Sequence, residues 1–454
     1  MDRRRLAIQC MSVESSPTGP TPIRPSSIFP GTHLNYVDFW PRCTNNATKI
    51  KHANFESFDD LVEKANRWLD QHPTTDIVSC ETLEKKVCKV NDVGSDTVLF
   101  KPEFGTTAVY IKGLRIWYSK TDGDPNAPRG YLAYADALPQ WLNADDEKGH
   151  RQPKYENLTA VLERVNRDLT ERPLEGRIVT VETVTIQISK LHWSEPVDVL
   201  KCCWVDGYTR HKYYFLRVFY RMGPTAQETI GIADFVPEQL SETSTFDPVP
   251  EYEAFEDVVD KATVWLQHCQ DIRVTNVQTL DCTYMKKQEL GGRRLDTLRT
   301  INYKIEARPR VMFLRVSYVL CKDHGPAHMP MPAISVRTFM PAVTVDRSCC
   351  GEKDYEFETM KQTMDRMAAW LHEAGARVLC VETITVPQWF VDQADNTSRT
   401  VHNGEWYLLK NKEHRHRLVY FIRLYVDGMF REPDPARLPL PPDLNSPTVD
   451  CTIL

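Results

Sequence analysis

The residues with the most definite chemistry are the last four, Cys451-Thr452-Ile453-Leu454. A cysteine fourth from the end, with an aliphatic residue two places on and a terminal leucine, forms a C-a-a-X box, in which the cysteine thiol accepts a prenyl group. A terminal leucine favours geranylgeranyl. The transferase needs a free and unfolded C-terminus, and the proline-rich stretch before the box provides one. The sequence therefore predicts a lipid on Cys451, together with the methylation that accompanies such an anchor.

This box resembles the C-termini of prenylated small GTPases and G-protein γ subunits, and the resemblance covers these four residues alone. It implies attachment to the cytoplasmic face of a membrane. A single lipid gives modest membrane affinity, since each buried methylene contributes ~0.8 kcal/mol. No polybasic run lies upstream, and Asp443 and Asp450 are acidic, so a second anchor must come from the folded part of the chain or from a partner. The alternative is a cysteine that stands fourth from the end by chance.

Two charged positions recur four times along the chain, and recurring charges raise the question of catalysis. Four near-identical active sites in one chain are unusual, whereas a cross-strand ion pair or hydrogen bond that fixes the register of a sheet explains the recurrence. Gln278 cannot act as a carboxylate but can still accept a hydrogen bond from Arg315. We therefore interpret these residues as structural pairs and predict no catalytic residue. The pairs are Glu81 with Arg115, Glu182 with Arg217, Gln278 with Arg315 and Glu382 with Arg423.

Other candidate sites are weaker. The vicinal pairs Cys202-Cys203 and Cys349-Cys350 lack the spacing of zinc ligands, so neither a metal site nor a cofactor is predicted. The net charge of −6 and the pI near 6.1 give no basic field for nucleic acid. The aromatic stretch 213–220 also lacks the glycine and lysine pattern of RNA-binding motifs, so no nucleic-acid partner is expected.

Repeating elements must position these residues. Between residues 55 and 69, apolar residues follow the spacing of one face of an α-helix. The same mask returns three more times, and only Asp168 and Thr363 break it. We therefore predict helices at approximately 56–70, 156–170, 253–267 and 358–372. The tryptophan position of the mask holds Trp68, Asp168, Trp265 and Trp370.

Three strand patterns recur at about the same distance from each predicted helix. A β-branched strand with the Glu-Thr pair follows each helix, a strand with the arginine comes later, and a short run ending in proline precedes the helix. Those runs are Tyr36-Val-Asp38-Phe39-Trp40-Pro41, Tyr134-Ala-Asp136-Ala-Leu-Pro139, Ile232-Ala-Asp234-Phe235-Val-Pro237 and Val336-Arg-Thr338-Phe339-Met-Pro341. One helix per unit is too few to cover both faces of a parallel sheet. The predicted fold is α+β, with four tandem divergent repeats of about a hundred residues. Each repeat has one helix packed on a small, mainly antiparallel sheet.

The predicted boundaries follow the same phase. The repeats span 31–130, 131–228, 229–332 and 333–430. Residues 1–30 are rich in serine, proline and threonine, and residues 431–454 form a proline-rich stretch without periodicity. Both ends are predicted to be disordered.

Composition and function classes complete the expectations. Apolar residues make up 41% and charged residues 26%, as in a soluble globular protein, and scattered cysteines indicate a cytoplasmic location. The leading hypothesis is a non-enzymatic interaction or scaffold protein with protein partners of unknown identity, tethered to a membrane by its lipid. One alternative is an enzyme with its active site in a groove between repeats, where one repeat carries polar residues that the others lack. Another is a soluble array that binds a peptide or small molecule.

Overall fold

A computed structural model describes most of the chain. The described residues are 34–45, 47, 49–103, 105–120, 130–143, 154–189, 197–205, 210–240, 252–269, 271–283, 295–302, 310–321, 333–346, 355–387, 407–408 and 417–444. The N-terminal segment 1–30 and the C-terminal box with Cys451 lie outside them.

Four α-helices occupy the four predicted places in the described residues. They are α1 (Phe58–Gln71), α2 (Leu158–Glu171), α3 (Phe255–Gln267) and α4 (Met360–Ala374). Ser57 begins α1 with a capping box, because its hydroxyl accepts from the Asp60 N–H while the Asp60 carboxylate accepts from the Ser57 N–H. Asn157 and Thr359 cap α2 and α4 in the same position. Gly375, with φ 61°, ends α4 in the left-handed conformation that glycine adopts easily.

The strands form four antiparallel sheets with the same internal arrangement. In each sheet the long strand with the arginine lies at the centre, the strand with the Glu-Thr position lies on one side, and a short strand that precedes the helix lies on the other. The first sheet contains β1 (Leu34–Phe39), β2 (Thr75–Val87) and β4 (Val109–Lys120); the second contains β5 (Leu132–Ala137), β6 (Gly176–Ser189) and β8 (Arg210–Met222). The third contains β9 (Glu228–Phe235), β10 (Ile272–Thr283) and β12 (Arg310–Cys321); the fourth contains β13 (Ile334–Phe339), β16 (Arg377–Pro387) and β18 (Leu418–Asp427). A separate hairpin joins β14 (Val343–Asp346) and β15 (Tyr355–Phe357).

Each central strand also pairs with a very short strand from another part of the chain. The first sheet receives β7 (Cys203–Val205), the second β11 (Ile301–Asn302) and the third β17 (Tyr407–Leu408). The fourth sheet receives β3 (Leu99–Phe100), which comes from the segment between β2 and β4. Every sheet therefore contains one short strand from the chain segment that forms the next sheet in sequence. The fourth sheet contains a short strand from the segment of the first, so this series of strand pairings connects all four sheets in a circle.

The helices lie between sheets rather than on one sheet each. Besides its own sheet, α1 contacts β5, while α2 contacts β9, α3 contacts β13 and α4 contacts β1. The strands with the Glu-Thr position also contact one another in a circle, β2 with β6, β6 with β10, β10 with β16 and β16 with β2. We call the contact of the first and second sheets the first junction and number the others in chain order. The fourth junction thus joins the fourth sheet to the first.

Apolar cores are built at these junctions. At the first junction, Phe58 of α1 packs in one cluster with Phe219 of the second sheet. At the fourth junction, Trp370 of α4 shares a cluster with Trp117 of the first sheet. Each helix was expected to pack on its own sheet. In the structure, its apolar face also packs on the neighbouring sheet. Equivalent helix tryptophans meet the short first strand of their own sheet in the contacts Trp68–Phe39, Trp265–Phe235 and Trp370–Phe339.

A side-chain clamp recurs at three junctions. Asn66 of α1 donates from its amide to the Leu132 carbonyl (2.8 Å) and accepts from the Leu132 N–H (2.7 Å). The clamp satisfies both main-chain polar groups of Leu132, a buried residue of the edge strand β5. The corresponding helix residue at the fourth junction is Ala368, which has no polar side-chain atom. Equivalent clamps are made by Asn166 on Ile230 and by Thr263 on Ile334.

Residues after the last strand pack on α4. The Trp370 indole N–H donates to Glu432 (3.0 Å), and the Trp370 ring meets Phe430 edge-on. Arg437 forms an ion pair with Glu373 of α4 (2.7 Å). Residues 432 and 437 therefore contact α4, although they lie in the segment 431–454 that was predicted to be disordered.

The structure confirms a mixed α+β fold with few helices and mainly antiparallel sheets. Over the described residues, no helix has the length and apolar composition needed to cross a membrane.

The Asn66 clamp generates a stability prediction. We expect Asn66→Ala to lower the free energy of unfolding by about 1–3 kcal/mol, because the N–H and carbonyl of Leu132 lose their partners together. Urea unfolding followed by circular dichroism measures the change.

The reverse substitution, Ala368→Asn, supplies the amide at the fourth junction and is expected to raise the free energy of unfolding by up to about 1 kcal/mol. Arg67→Ala, on the exposed face of α1, is the matched control, and an equal cost for Asn66→Ala and Arg67→Ala contradicts the role of the clamp.

Candidate functional site

The recurring polar residues meet at the junctions. At the first junction, the Thr82 N–H donates to the Glu182 carboxylate (3.0 Å), which also accepts from the Thr82 hydroxyl. Arg217 donates to the Thr82 hydroxyl oxygen from Nη1 (3.2 Å). Through Nε and Nη2, Arg217 also forms a two-pronged pair with Asp136 of its own sheet (2.7 and 2.8 Å). A glutamate and an arginine of one sheet thus hold a threonine of the preceding sheet.

The fourth junction repeats this arrangement and closes the circle. The Glu81 carboxylate accepts from the Thr383 N–H (2.5 Å) and the Thr383 hydroxyl (3.1 Å). Arg115 donates to the Thr383 hydroxyl oxygen (3.1 Å) and pairs with Asp38 (2.6 and 2.7 Å). Glu81 and Thr383 are 302 positions apart in the chain, yet they make the same bonds as Glu182 and Thr82, which belong to consecutive sheets.

The second and third junctions differ from this pattern at one position each. Gln278 replaces the glutamate at the second junction, and its amide oxygen accepts from the Thr183 N–H (2.7 Å). Thr338 replaces the aspartate in the fourth sheet, and Arg423 Nε lies 3.4 Å from its hydroxyl oxygen. The other bonds are kept: Arg315 with Thr183 and Asp234, Glu382 with Thr279, and Arg423 with Thr279.

The sheets bring the eight predicted residues together in pairs, though with other hydrogen-bond partners than expected. In register, Glu81 lies opposite Arg115, Glu182 opposite Arg217, Gln278 opposite Arg315 and Glu382 opposite Arg423. The expected bond joined these residues within one sheet. In the structure, Gln278 accepts from Thr183 of the preceding sheet instead, and Glu382 lies 3.8 Å from Arg423. The residues of each pair thus face each other across two strands, and they also connect neighbouring sheets.

The aspartates of the first strands have a larger role than the sequence indicated. Asp38, Asp136 and Asp234 supply the carboxylates that pair with the buried arginines. The sequence did contain a pattern for these aspartates, since aspartate recurs at one place in three of the four proline-terminated runs. The aspartates could not be matched to the arginines, because no short stretch of sequence indicates that these first strands pair with the central strands.

Burial dominates the electrostatics of this polar layer. The guanidinium groups of Arg115, Arg217, Arg315 and Arg423 belong to residues no more than 2% exposed. Burial raises the pKa of Glu81 to about 7, against the opposing effect of Arg115 and the Thr383 N–H. Burial also raises the pKa of Glu182. A layer whose charged groups bind one another in this way is suited to joining sheets rather than to contacting a substrate.

A second polar cluster lies at the second junction, and a smaller one, of Lys112 with Glu84 and the Thr185 carbonyl, lies at the first. Asp281 binds both Lys212 (2.9 Å to each oxygen) and Arg310. It borders a cleft between the second and third sheets. Within the described residues, no group of three or more histidine, cysteine, aspartate or glutamate side chains is placed to hold a metal ion. Cys202 and Cys203 are buried free cysteines. The pair Cys349-Cys350 lies outside the described residues.

Comparison of the chain with known protein families, curated proteins and solved structures gives no significant match.

The raised pKa of Glu81 generates a prediction on the pH dependence of stability. The folded protein binds the Glu81 proton more tightly than the unfolded chain does. The resulting stabilisation is complete below the ordinary pKa of 4.5 and is lost as the pH rises through about 7. Glu81→Gln removes this ionisation and reproduces the natural Gln278. Relative to the wild type, we expect this variant to gain stability from about pH 5 to about pH 8, by at most about 3 kcal/mol.

Urea unfolding at several pH values measures this difference. Glu63→Gln, at an exposed position of α1, is the control and should leave the pH profile of the wild type unchanged. Glu81→Ala removes the acceptor of the Thr383 N–H as well, and is expected to destabilise the protein at every pH. Parallel profiles for wild type and Glu81→Gln are the result that contradicts a buried, titrating Glu81.

Proposed function

We propose that the chain is four copies of one α+β unit closed into a ring, and that this ring is a non-enzymatic interaction scaffold. Each unit comprises a first strand, a helix, an inner strand, a variable segment and a central strand. The observation that carries the proposal is the repeated use of the Glu-Thr, arginine and aspartate positions at all four junctions. Residues that recur in every unit hold the units together, which leaves binding to the surfaces between and around them.

Ring closure supports a scaffold because it gives a rigid body with several similar grooves. In an open array of repeats, the end units lack one neighbour and need special caps. Here β3 completes the fourth sheet, and Thr383 bonds to Glu81 of the first sheet. Every unit therefore has two neighbours. A closed ring presents its junctions at fixed relative positions, which favours partners that contact more than one unit.

We further propose that the ring is tethered to the cytoplasmic face of a membrane by a prenyl group on Cys451. Contacts of Phe430 and Leu438 with the α4 core fix the start of the tail. The thirteen residues from Pro439 to Cys451 span up to about 45 Å when extended. The lipid would thus hold α4 and its neighbours near the membrane while leaving the ring free to rotate. Because one lipid binds weakly, stable attachment requires that the ring also engages a membrane-bound partner.

The alternative, an enzyme in a groove between units, is favoured by one observation. The charged cluster of Lys212, Asp281 and Arg310 joins the second and third sheets, and its carboxylate, Asp281, borders a cleft. That is the kind of departure from repetition expected of a ligand site. The groups are paired with one another, however, and no nucleophile and base stand at hydrogen-bond distance there among the contacts of the described residues. We therefore prefer the scaffold.

The tether generates a prediction on localisation. Cys451→Ser should move the protein from membranes to cytosol in a eukaryotic cell, because a serine hydroxyl does not replace the thiolate as prenyl acceptor. Its melting temperature should stay within about 1 °C of the wild type, since the substitution lies thirteen residues beyond the packed Leu438. Cell fractionation and thermal unfolding measure the two quantities. The intact mass of the purified wild type reports the lipid and also whether Leu454 is the free C-terminus.

Leu454→Ser is the matched control variant. It keeps the cysteine but changes the final residue from one that favours geranylgeranyl to one that favours farnesyl. The expected result is a membrane-bound protein whose lipid is lighter by one isoprene unit. Wild-type protein that is wholly cytosolic with an unmodified C-terminal peptide contradicts the tether. The ring and its junctions are tested separately by the stability of the junction variants.

A further inference from the structure

A proline-rich segment, residues 438–444, follows the last helical turn of the described chain. It reads Leu438-Pro439-Leu440-Pro441-Pro442-Asp443-Leu444. A proline ring fixes φ near −65°, and a residue that precedes a proline is held in extended backbone. From Leu438 to Pro442, every residue is a proline or precedes one. The sequence therefore restricts this stretch to a polyproline II helix, and Leu438 begins it with extended backbone, φ −97° and ψ 148°.

Contacts with α4 hold the start of the segment. Asp434 caps a single turn of 3-10 helix, Pro435–Arg437. The guanidinium of Arg437 pairs with Glu373 of α4 (2.7 Å), and Leu438 packs against the α4 core. The chain is therefore fixed to the folded body immediately before the prolines.

Beyond this anchor the segment is exposed to solvent. Leu440 is 86% exposed, against 64% for Leu142 and 63% for Leu240, two other leucines on the surface. Pro439 and Pro441 are exposed as well. Residues 439–444 belong to neither helix nor strand. Because removing an apolar side chain from water is favourable, a partner that covers Leu440 gains binding free energy from it.

Two prolines of the segment lie on one side. A polyproline II helix has three residues per turn, so Pro439 and Pro442 share a face and are about 9 Å apart. This is the P-x-x-P spacing that the aromatic-lined grooves of SH3 and WW domains bind. Little freedom is lost on binding, because the sequence already holds this helix and α4 anchors its start.

The charges beside the prolines indicate the kind of groove. Asp443 follows the prolines directly, and no lysine or arginine follows Arg437 in the sequence. Arg437 itself stands only two residues before Pro439 and is paired with Glu373. A groove with an acidic pocket for a lysine or arginine would meet a cation that is already paired, and Asp443 would repel it. An aromatic groove without an acidic pocket is the better fit.

We propose that residues 438–444 are the ligand of a polyproline-binding domain of the WW type, whose aromatic groove receives Pro439, Pro442 and the exposed Leu440. This binding site lies in the tail, outside the four sheets, and is therefore distinct from the surfaces of the ring. It also needs no lipid, because the segment ends seven residues before Cys451. Failure of this interaction would leave the ring and the membrane tether unaffected.

Isothermal titration calorimetry on the full chain tests the proposal with a panel of purified WW domains and a panel of purified SH3 domains that carry the acidic pocket. We expect saturable one-to-one binding of at least one WW domain and of none of the SH3 domains. Pro442→Ala is expected to weaken the binding of that WW domain about tenfold or more, because a ring leaves the groove and the backbone gains freedom. Leu440→Ala is expected to weaken it several-fold.

The role of Arg437 separates the two kinds of groove. Arg437→Ala should change the affinity for the WW domain by no more than about twofold, because an exposed ion pair with Glu373 contributes little and the groove does not use the guanidinium. Loss of binding in this variant contradicts a groove without an acidic pocket.

Leu142→Ala and Pro224→Ala are the matched controls, since they change an exposed leucine and an exposed proline outside the tail. Both should bind the WW domain as the wild type does. The proposal is overturned if no WW domain binds saturably, if only SH3 domains bind, or if Pro442→Ala and Leu440→Ala retain wild-type affinity. If Pro442→Ala does not fold, Leu440→Ala decides, because its side chain is exposed in the folded protein.

Discussion

A buried guanidinium must be paired, and this constraint governs the arrangement of the whole protein. Four arginines lie at the centres of four sheets with almost no exposure. An unpaired charge in such a place costs several kcal/mol. In three of the four sheets, Asp38, Asp136 or Asp234 pairs with the arginine of the same sheet, and another N–H group of that arginine donates to a threonine of the neighbouring sheet. A sheet separated from its neighbours would expose this pair and leave that N–H group without its acceptor, so the sheets depend on one another.

The two natural departures show what each position must supply. Gln278 keeps an oxygen acceptor for the Thr183 N–H without a charge, so the glutamate position requires an acceptor rather than a carboxylate. Thr338 stands where the other sheets have aspartate, and there an Arg423 nitrogen lies 3.8 Å from a carboxylate oxygen of Glu382. The contacts of Arg423 with Thr279 and the Phe255 ring match those of Arg217 with Thr82 and Phe58. The strand partner Glu382 therefore lies near the guanidinium that lacks an aspartate on its other side.

The local features of the fold could be predicted from the sequence because they depend on residues close together in the chain. Helical spacing and strand alternation located the four helices and the strands of the Glu-Thr and arginine positions. Contacts between sheets could not be predicted in this way. The bond from Thr383 to Glu81 joins residues 302 apart, and β3 leaves its own sheet for the fourth. The local spacing of apolar residues does not indicate which sheets are neighbours in space.

Repetition also separates structural residues from those that carry a specific function. A residue that joins neighbouring sheets recurs at every junction, as Thr82, Thr183, Thr279 and Thr383 do. A residue that acts at one junction only has no reason to recur. Lys212, Asp281 and Arg310 come together at the second junction, where Gln278 supplies a neutral acceptor in place of the glutamate. The junction whose joining layer has lost a carboxylate therefore has another, Asp281, three residues further along the same strand, and this carboxylate pairs with two cations.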